Sequence, residues 1–281
     1  MSFRGREWPV DAASPDALAG MDLVFFAATG ELSKTLAPLA VEQGAIVIDK
    51  SSTWRLAAHV PLVVPEINAD ALSMLAERRG IVSCPNCTTI GLVMALEPLR
   101  RAAGLASVVV TTLQAASGAG RDGLDELAGE PRGVFPRVLA GNAIPQCERF
   151  ADDGYTTEEL KLRDETRKIL RLPELPVSMT CVRVPVAVGH SAAVLVETER
   201  ALAPAEALEA LRAFPGLTVA TSNEYPTPLD CAGHDDVFVG RVRRDPSHPR
   251  RLWLWCVVDN LRKGAATNAV QIAEELMARG L

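Results

Sequence analysis

The 281-residue sequence is poor in the features that would place it on nucleic acid, in a membrane or outside the cell. Basic residues are outnumbered, 29 against 35 acidic, for a net charge of −6. No broad positive face is therefore expected to neutralise a nucleic-acid backbone, although a local anion site stays open. No apolar run is long enough to cross a bilayer, and no apolar signal core follows Arg4 and Arg6. The expectation is a cytoplasmic protein with no membrane partner. The six cysteines are scattered at 84, 87, 147, 181, 231 and 256, which argues for reduced thiols over a disulfide framework. Only four histidines are present, without a second C-x-x-C, so no metal site is expected.

What is present is a globular balance, 48% hydrophobic and 23% charged. The length suits two intertwined domains. Leu23-Val-Phe-Phe-Ala-Ala28 and Ala45-Ile-Val-Ile-Asp49 are apolar runs without alternation, the pattern of parallel strands covered on both faces. A helix over 32–43 between them completes a βαβ unit. A further helix is expected to start on an Asn68 cap and end before Gly80, followed by a strand at 81–83. From Ser107 the pattern turns β-rich, with strands expected at 107–114, 178–187, 192–198, 236–243 and 252–259. Helices over 157–170, 204–213 and 265–278 punctuate it. The fold class is α/β: an incomplete Rossmann-type parallel-sheet domain, residues 1–86 with 260–281, plus a mixed α+β domain, residues 87–259.

Ser83-Cys84-Pro85-Asn86-Cys87-Thr88-Thr89-Ile90 sets Cys87 between a strand and an apolar-periodic segment, hence at a helix N-terminus. Unpaired N–H groups and the helix dipole there favour a thiolate and can hold an oxyanion. A redox pair, half of a zinc site and a plain buried cysteine are the alternatives.

Five segments, in order, decide among them by resemblance. Ser-Cys-Pro-Asn-Cys87-Thr-Thr-Ile resembles the active-site motif of bacterial aspartate-semialdehyde dehydrogenases. Gln114-Ala-Ala-Ser117-Gly118-Ala-Gly120, Glu158-Glu-Leu-Lys161, Cys181-Val-Arg183 with Gly189-His190-Ser191, and Asp259-Asn260-Leu-Arg-Lys-Gly264 resemble further signatures of that family. The resemblance implies reductive dephosphorylation of L-aspartyl 4-phosphate with NADPH, through a thioester on the cysteine, by a homodimer.

Roles follow from that chemistry. Cys87 is the expected nucleophile and His190 the acid/base, able to take a thiol proton or give one to an oxyanion. The resemblance implies that Arg183 binds the substrate α-carboxylate in a fork, against the alternative of an ordinary strand arginine. On an extended strand Arg183 and His190 would face opposite ways unless a turn intervenes. Glu158 and Lys161, one helical face apart by three residues, are implied to read the amino group and phosphate; a solvated ion pair is the alternative. By the same resemblance, Arg55 is a phosphate ligand, Asn86 lies at the substrate, Gln114 orients the acyl group, and Ser117, Gly118, Asn260 and Gly264 lie at the cofactor.

The family normally opens with a strand and a G-x-x-G-x-x-G loop, absent from residues 1–20 here. The expectation is therefore that the first βα unit is missing and the true start lies upstream. Gly129 to Gly133 also bridges a stretch that is longer in the family and helps build its subunit contact. Two alternatives stay open: N-acetyl-glutamyl-phosphate reductase, and a catalytically silent paralogue or subunit.

Overall fold

The computed structural model describes residues 1–75, 79–221 and 224–280. A short hairpin, β1 (Ser2–Phe3) with β2 (Arg6–Glu7), precedes the main body. β3 (Leu23–Phe26), α1 (Gly30–Glu42) and β4 (Ile46–Asp49) make the expected βαβ unit, the strands parallel. After α2 (Pro65–Asn68), β5 (Gly80–Ser83) pairs with the other side of β4. β4 is central and buried throughout. Because strand side chains alternate, Val47 packs with Leu36, Ala37 and Ala40 of α1, while Ile46 and Ile48 join the larger core.

The helix expected on an Asn68 cap is met in part: a 3-10 helix follows with Asn68 at its N-cap position but without a side-chain cap bond, and a first helical turn already opens at Pro65, whose fixed φ suits it. Asn68 ends that turn, accepting from the Val64 N–H at 2.9 Å and donating to the Leu62 carbonyl at 2.8 Å. A 3-10 turn covers Ala69–Met74; residues 76–78 of the expected helix lie outside the described residues.

α3 (Cys87–Ala103) leads into β6 (Ser107–Gln114), α4 (Gly120–Leu127) and α5 (Thr157–Leu170). β7 (Val177–Arg183), β8 (His190–Glu197), α6 (Pro204–Arg212), β9 (Leu217–Val219), α7 (Pro228–Cys231), β10 (Val237–Arg244), β11 (Arg251–Val258) and α8 (Thr267–Ala278) follow. The six strands form a mixed sheet in the order β7-β6-β8-β11-β10-β9. Its strands alternate cleanly, so one face is buried beneath α3, α5 and α6 and the other is open, with Val109 43% exposed. β7 stops at Arg183, four residues earlier than expected, because Pro185 has no N–H to continue a ladder and Val186 N–H turns back to the Val184 carbonyl. The last helix is preceded by a π-helical turn at Arg262–Ala266. A single apolar core runs from Ile46 and Ile48 of β4 through α3 to β6, β8 and β11.

Candidate active site

Cys87 is the first residue of α3, and Asn86 is its N-cap. Asn86 Oδ1 accepts from the N–H groups of Thr88 at 2.8 Å and Thr89 at 3.4 Å. Those are two of the N–H groups expected to hold an oxyanion, so the cap has already claimed them. The thiol is likewise not depressed: burial and then the Glu158 carboxylate push it up to about 11, against the pull of Thr88, Arg55 and Arg183. All six cysteines are free, and Cys87 alone is half-buried while the other five are buried. The Cys84 thiol accepts from Asn268 Nδ2 at 3.4 Å. A methyl group placed on Gly264 would come within 3.1 Å of Cys87 Cβ, so the backbone there lies close against the nucleophile and a larger residue would have to displace it.

Helix α5 faces this point. It starts in a reciprocal cap between Thr156 and Glu159, which leaves Glu158, Lys161 and Glu165 on one face. Both Glu158 oxygens accept from Asn86 Nδ2 at 3.0 Å, and Oε1 also accepts from Gln114 Nε2 at 3.3 Å. Lys161 pairs with Glu148 and, at 3.6 Å, with Glu158. The i,i+3 pair of the alternative reading thus exists, but it is not solvated, because Glu158 is buried at the site. Glu148 holds a left-handed φ of 65°, a strained setting for a non-glycine residue.

Arg55 is more committed than a free phosphate ligand would be. Its Nε donates to the Cys84 carbonyl at 3.0 Å, Nη2 to the Lys50 carbonyl at 2.8 Å and Nη1 to Glu165 at 3.0 Å. Burial works against its charge, but the Glu165 carboxylate outweighs that and pushes the guanidinium up.

Arg183 and His190 converge, because the chain turns between β7 and β8 through Gly189 at φ 101°. A Cβ on Gly118 would strike both, 2.7 Å from Arg183 Nη1 and 3.0 Å from His190 Nε2. Arg183 Nη1 donates to the Ala115 carbonyl at 2.6 Å. The Ala115 N–H donates to His190 Nδ1 at 3.0 Å, so the proton of the neutral ring sits on Nε2. Nε2 is buried and has no hydrogen-bond partner among the described residues. Burial, and then Arg183, push the imidazole down to about 3. Of the two expected roles, giving a hydrogen bond to an oxyanion is open to Nε2; taking a thiol proton there is not while Ala115 holds Nδ1.

Cys87 and Asn86 line two clefts at once. One, of about 600 Å³, is walled by Gln114, Phe135, Cys147, Glu158 and Arg183. The other, of about 410 Å³, is walled by Ser52, Arg55, Ser117, Gly118, Lys161, Asn260 and Gly264. Asn260 Nδ2 donates to Ser117 Oγ at 2.9 Å, and Asn260 Oδ1 accepts from the Gly189 N–H at 3.0 Å. Gly118 and Gly264 both line the second cleft, Gly264 against Cys87 and Gly118 against Arg183 and His190, so bare backbone faces the space where a flat ring could lie. Glu148, Glu165, Cys147 and Phe135 were not singled out from sequence. Glu165 alone left a signal, seven residues after Glu158 on the same helix face.

Residues 1–75 match the model of the semialdehyde dehydrogenase NAD binding domain, and residues 96–263 that of the semialdehyde dehydrogenase dimerisation domain. Aspartate-semialdehyde dehydrogenase of Aquifex aeolicus is 44% identical over 100% of this chain and 87% of its own length. That of Bacillus subtilis is 44% identical over 98% and 85%. Among solved structures, aspartate semialdehyde dehydrogenase II of Vibrio cholerae, complexed with ASA, superposes with a TM-score of 0.89 at 44% identity, covering 91% of this chain and 79% of that one. With its motifs in order, its fold matched and its identity sustained along the whole length, the chain belongs to the aspartate-semialdehyde dehydrogenase family.

Proposed function

We propose that this chain is an aspartate-semialdehyde dehydrogenase, interconverting L-aspartyl 4-phosphate and L-aspartate 4-semialdehyde through a thioester on Cys87. The observation that carries this reading is the position of Cys87 on the wall shared by two clefts. An acyl group on its sulfur meets Gln114, Glu158 and Arg183 in one cleft, and Lys161 with the backbone of Gly264 in the other.

In the forward direction the Cys87 sulfur attacks the acyl-phosphate carbonyl, forming the C–S bond as the C–O bond to phosphate breaks, and the thiol proton leaves on the departing phosphate. The Arg55 and Arg183 charges draw the thiol toward its reactive form. Arg183 grips the α-carboxylate and Glu158 the α-ammonium, which an N-acetylated substrate would not offer. Asn86 and Gln114, both tied to Glu158, fix the acyl group. Lys161 receives the phosphate, with Arg55 beside it as a fixed positive charge whose donors stay on Glu165 and two backbone carbonyls. His190 Nε2–H donates to the carbonyl oxygen as it gains charge. Ser117, Gly118, Asn260 and Gly264 would hold NADPH, which would supply a hydride for the thioester carbon, the C–S bond breaking to return Cys87.

Residues 1–86 with 260–281 carry the cofactor side and residues 87–259 the catalytic and dimerising side. The open face of the six-stranded sheet, apolar at Val109 and flanked by Trp253 and Trp255, supports a homodimer through this surface. Six free cysteines suit a reducing cytoplasm.

The test is phosphate-dependent NADP reduction with L-aspartate 4-semialdehyde. Activity, its loss in Cys87→Ser, and its retention in Cys84→Ser are the expected outcomes. Loss of thiol labelling by an electrophilic substrate analogue in Cys84→Ser, with Cys87→Ser still labelled, would move the nucleophile to Cys84. Turnover of the N-acetylated glutamyl substrate alone would overturn the substrate assignment.

A further inference from the structure

Asn86 is gripped from two sides by one helix. Glu158 takes its side-chain amide. Glu165, two helical turns further on, takes its backbone N–H on Oε2 at 2.7 Å. The other Glu165 oxygen receives Arg55 Nη1 at 3.0 Å, in a pair whose side chains are 9% and 1% exposed. Arg55 in turn holds the Cys84 carbonyl, so the loop before the nucleophile is fastened at both 84 and 86. We propose that Glu165, which touches no reactant, is a positioning residue that fixes the seat of Cys87 through Asn86 and sets the strength of the positive charge that Arg55 presents beside it.

A carboxylate is the group this junction requires. Both of its oxygens accept, and both neighbours donate. An amide of the same shape offers one acceptor and one donor, so either the Asn86 N–H or the Arg55 guanidinium is left facing a donor. A carboxylate one methylene shorter keeps the charge but cannot span both partners. Glu158 on α5, Arg55 on the loop after β4 and Arg183 at the end of β7 act on the thiol directly, and Lys50, Glu148, Arg149 and Lys161 line the same clefts. Among them only Arg55 has its charge matched by Glu165. Removing that match strengthens the cation felt by Cys87 even as the loop loses its anchor, so reactivity of the thiol and catalytic rate should move in opposite directions.

This inference rests on Cys87 being the nucleophile, and the experiment separates the two. The full chain and its Glu165→Gln, Glu165→Asp and Cys87→Ser variants are compared for kcat and KM in phosphate-dependent NADP reduction, and for the pH profile of Cys87 alkylation by iodoacetamide. Glu165→Gln should lower kcat by about tenfold or more with KM for the aldehyde changed less than about threefold, the pattern of a misplaced reacting group. Its alkylation midpoint should move to lower pH. Glu165→Asp should lower kcat with the midpoint unmoved. Wild-type kcat in Glu165→Gln overturns the proposal, and so does a lowered kcat with an unmoved midpoint, which is what a merely structural residue would give. Should Glu165→Gln fail to fold, Glu165→Asp decides on the split between kcat and KM: kcat lowered with KM changed less than about threefold supports the proposal, while wild-type kcat, or kcat and KM disturbed together, overturns it. Activity surviving in Cys87→Ser would overturn the nucleophile reading and this inference with it.

Discussion

Two of the ion pairs on helix α5 differ in almost everything except their address. Glu165–Arg55 is closed, with side chains 1% and 9% exposed and the remaining Arg55 donors on backbone carbonyls. Lys161–Glu148, one turn away, is open at 23% and 43% and rests on a strained backbone at Glu148. A buried charge cannot exchange its partner without stranding one ion in a poor solvent. A half-exposed ammonium can, because water covers the interval. The first pair reads as scaffold and the second as a position where a substrate anion can replace a protein carboxylate. One helix therefore supplies both the fixed and the exchangeable parts of the site, separated by a single turn.

The sharpest way to break that contrast is to remove one member of each pair. Arg55→Met strands the Glu165 carboxylate and should cost about 3–5 kcal/mol in urea unfolding. A loss below about 1 kcal/mol, the range of a surface pair, would mean that the junction is not closed. Lys161→Met should change stability by less than about 1 kcal/mol yet raise the KM for phosphate by about tenfold or more. Equal stability losses in the two variants would erase the distinction. The smallest effect sharpens it from the neighbouring strand. His190 is held neutral, its value pushed down from 6.5 to about 3. The unfolded chain binds that proton first, so stability is full above about pH 6.5 and is lost as pH falls toward about 3. His190→Asn should flatten this part of the acid unfolding curve, and an unchanged slope would deny the buried neutral ring.

Much of the fold was legible because it is written in local periodicity. The strand at 107–114 and the helix at 157–170 fall where alternation and helical spacing put them. The helix expected after Asn68 is there only as a 3-10 helix without a side-chain cap, since Asn68 spends its side chain on Val64 and Leu62. The site was legible mainly as a set of ordered motifs, whereas its electrostatics were not. A helix N-terminus argued for a thiolate, but the burial that raises the Cys87 thiol comes from residues far away in sequence. The His190 tautomer depends on a hydrogen bond from Ala115, 75 positions earlier. Glu165 acts through partners 79 and 110 positions away, contacts that no local pattern encodes.

α3 begins at the nucleophile and is buried along nearly its whole length, in the core that joins both sheets. Local opening draws on segments with few buried contacts, and this one has many. The reactive thiol is therefore mounted on a foldon that opens only with the whole molecule. Its exposure to solvent exchange is tied to global melting, and heat should extinguish function and tertiary order in one cooperative event.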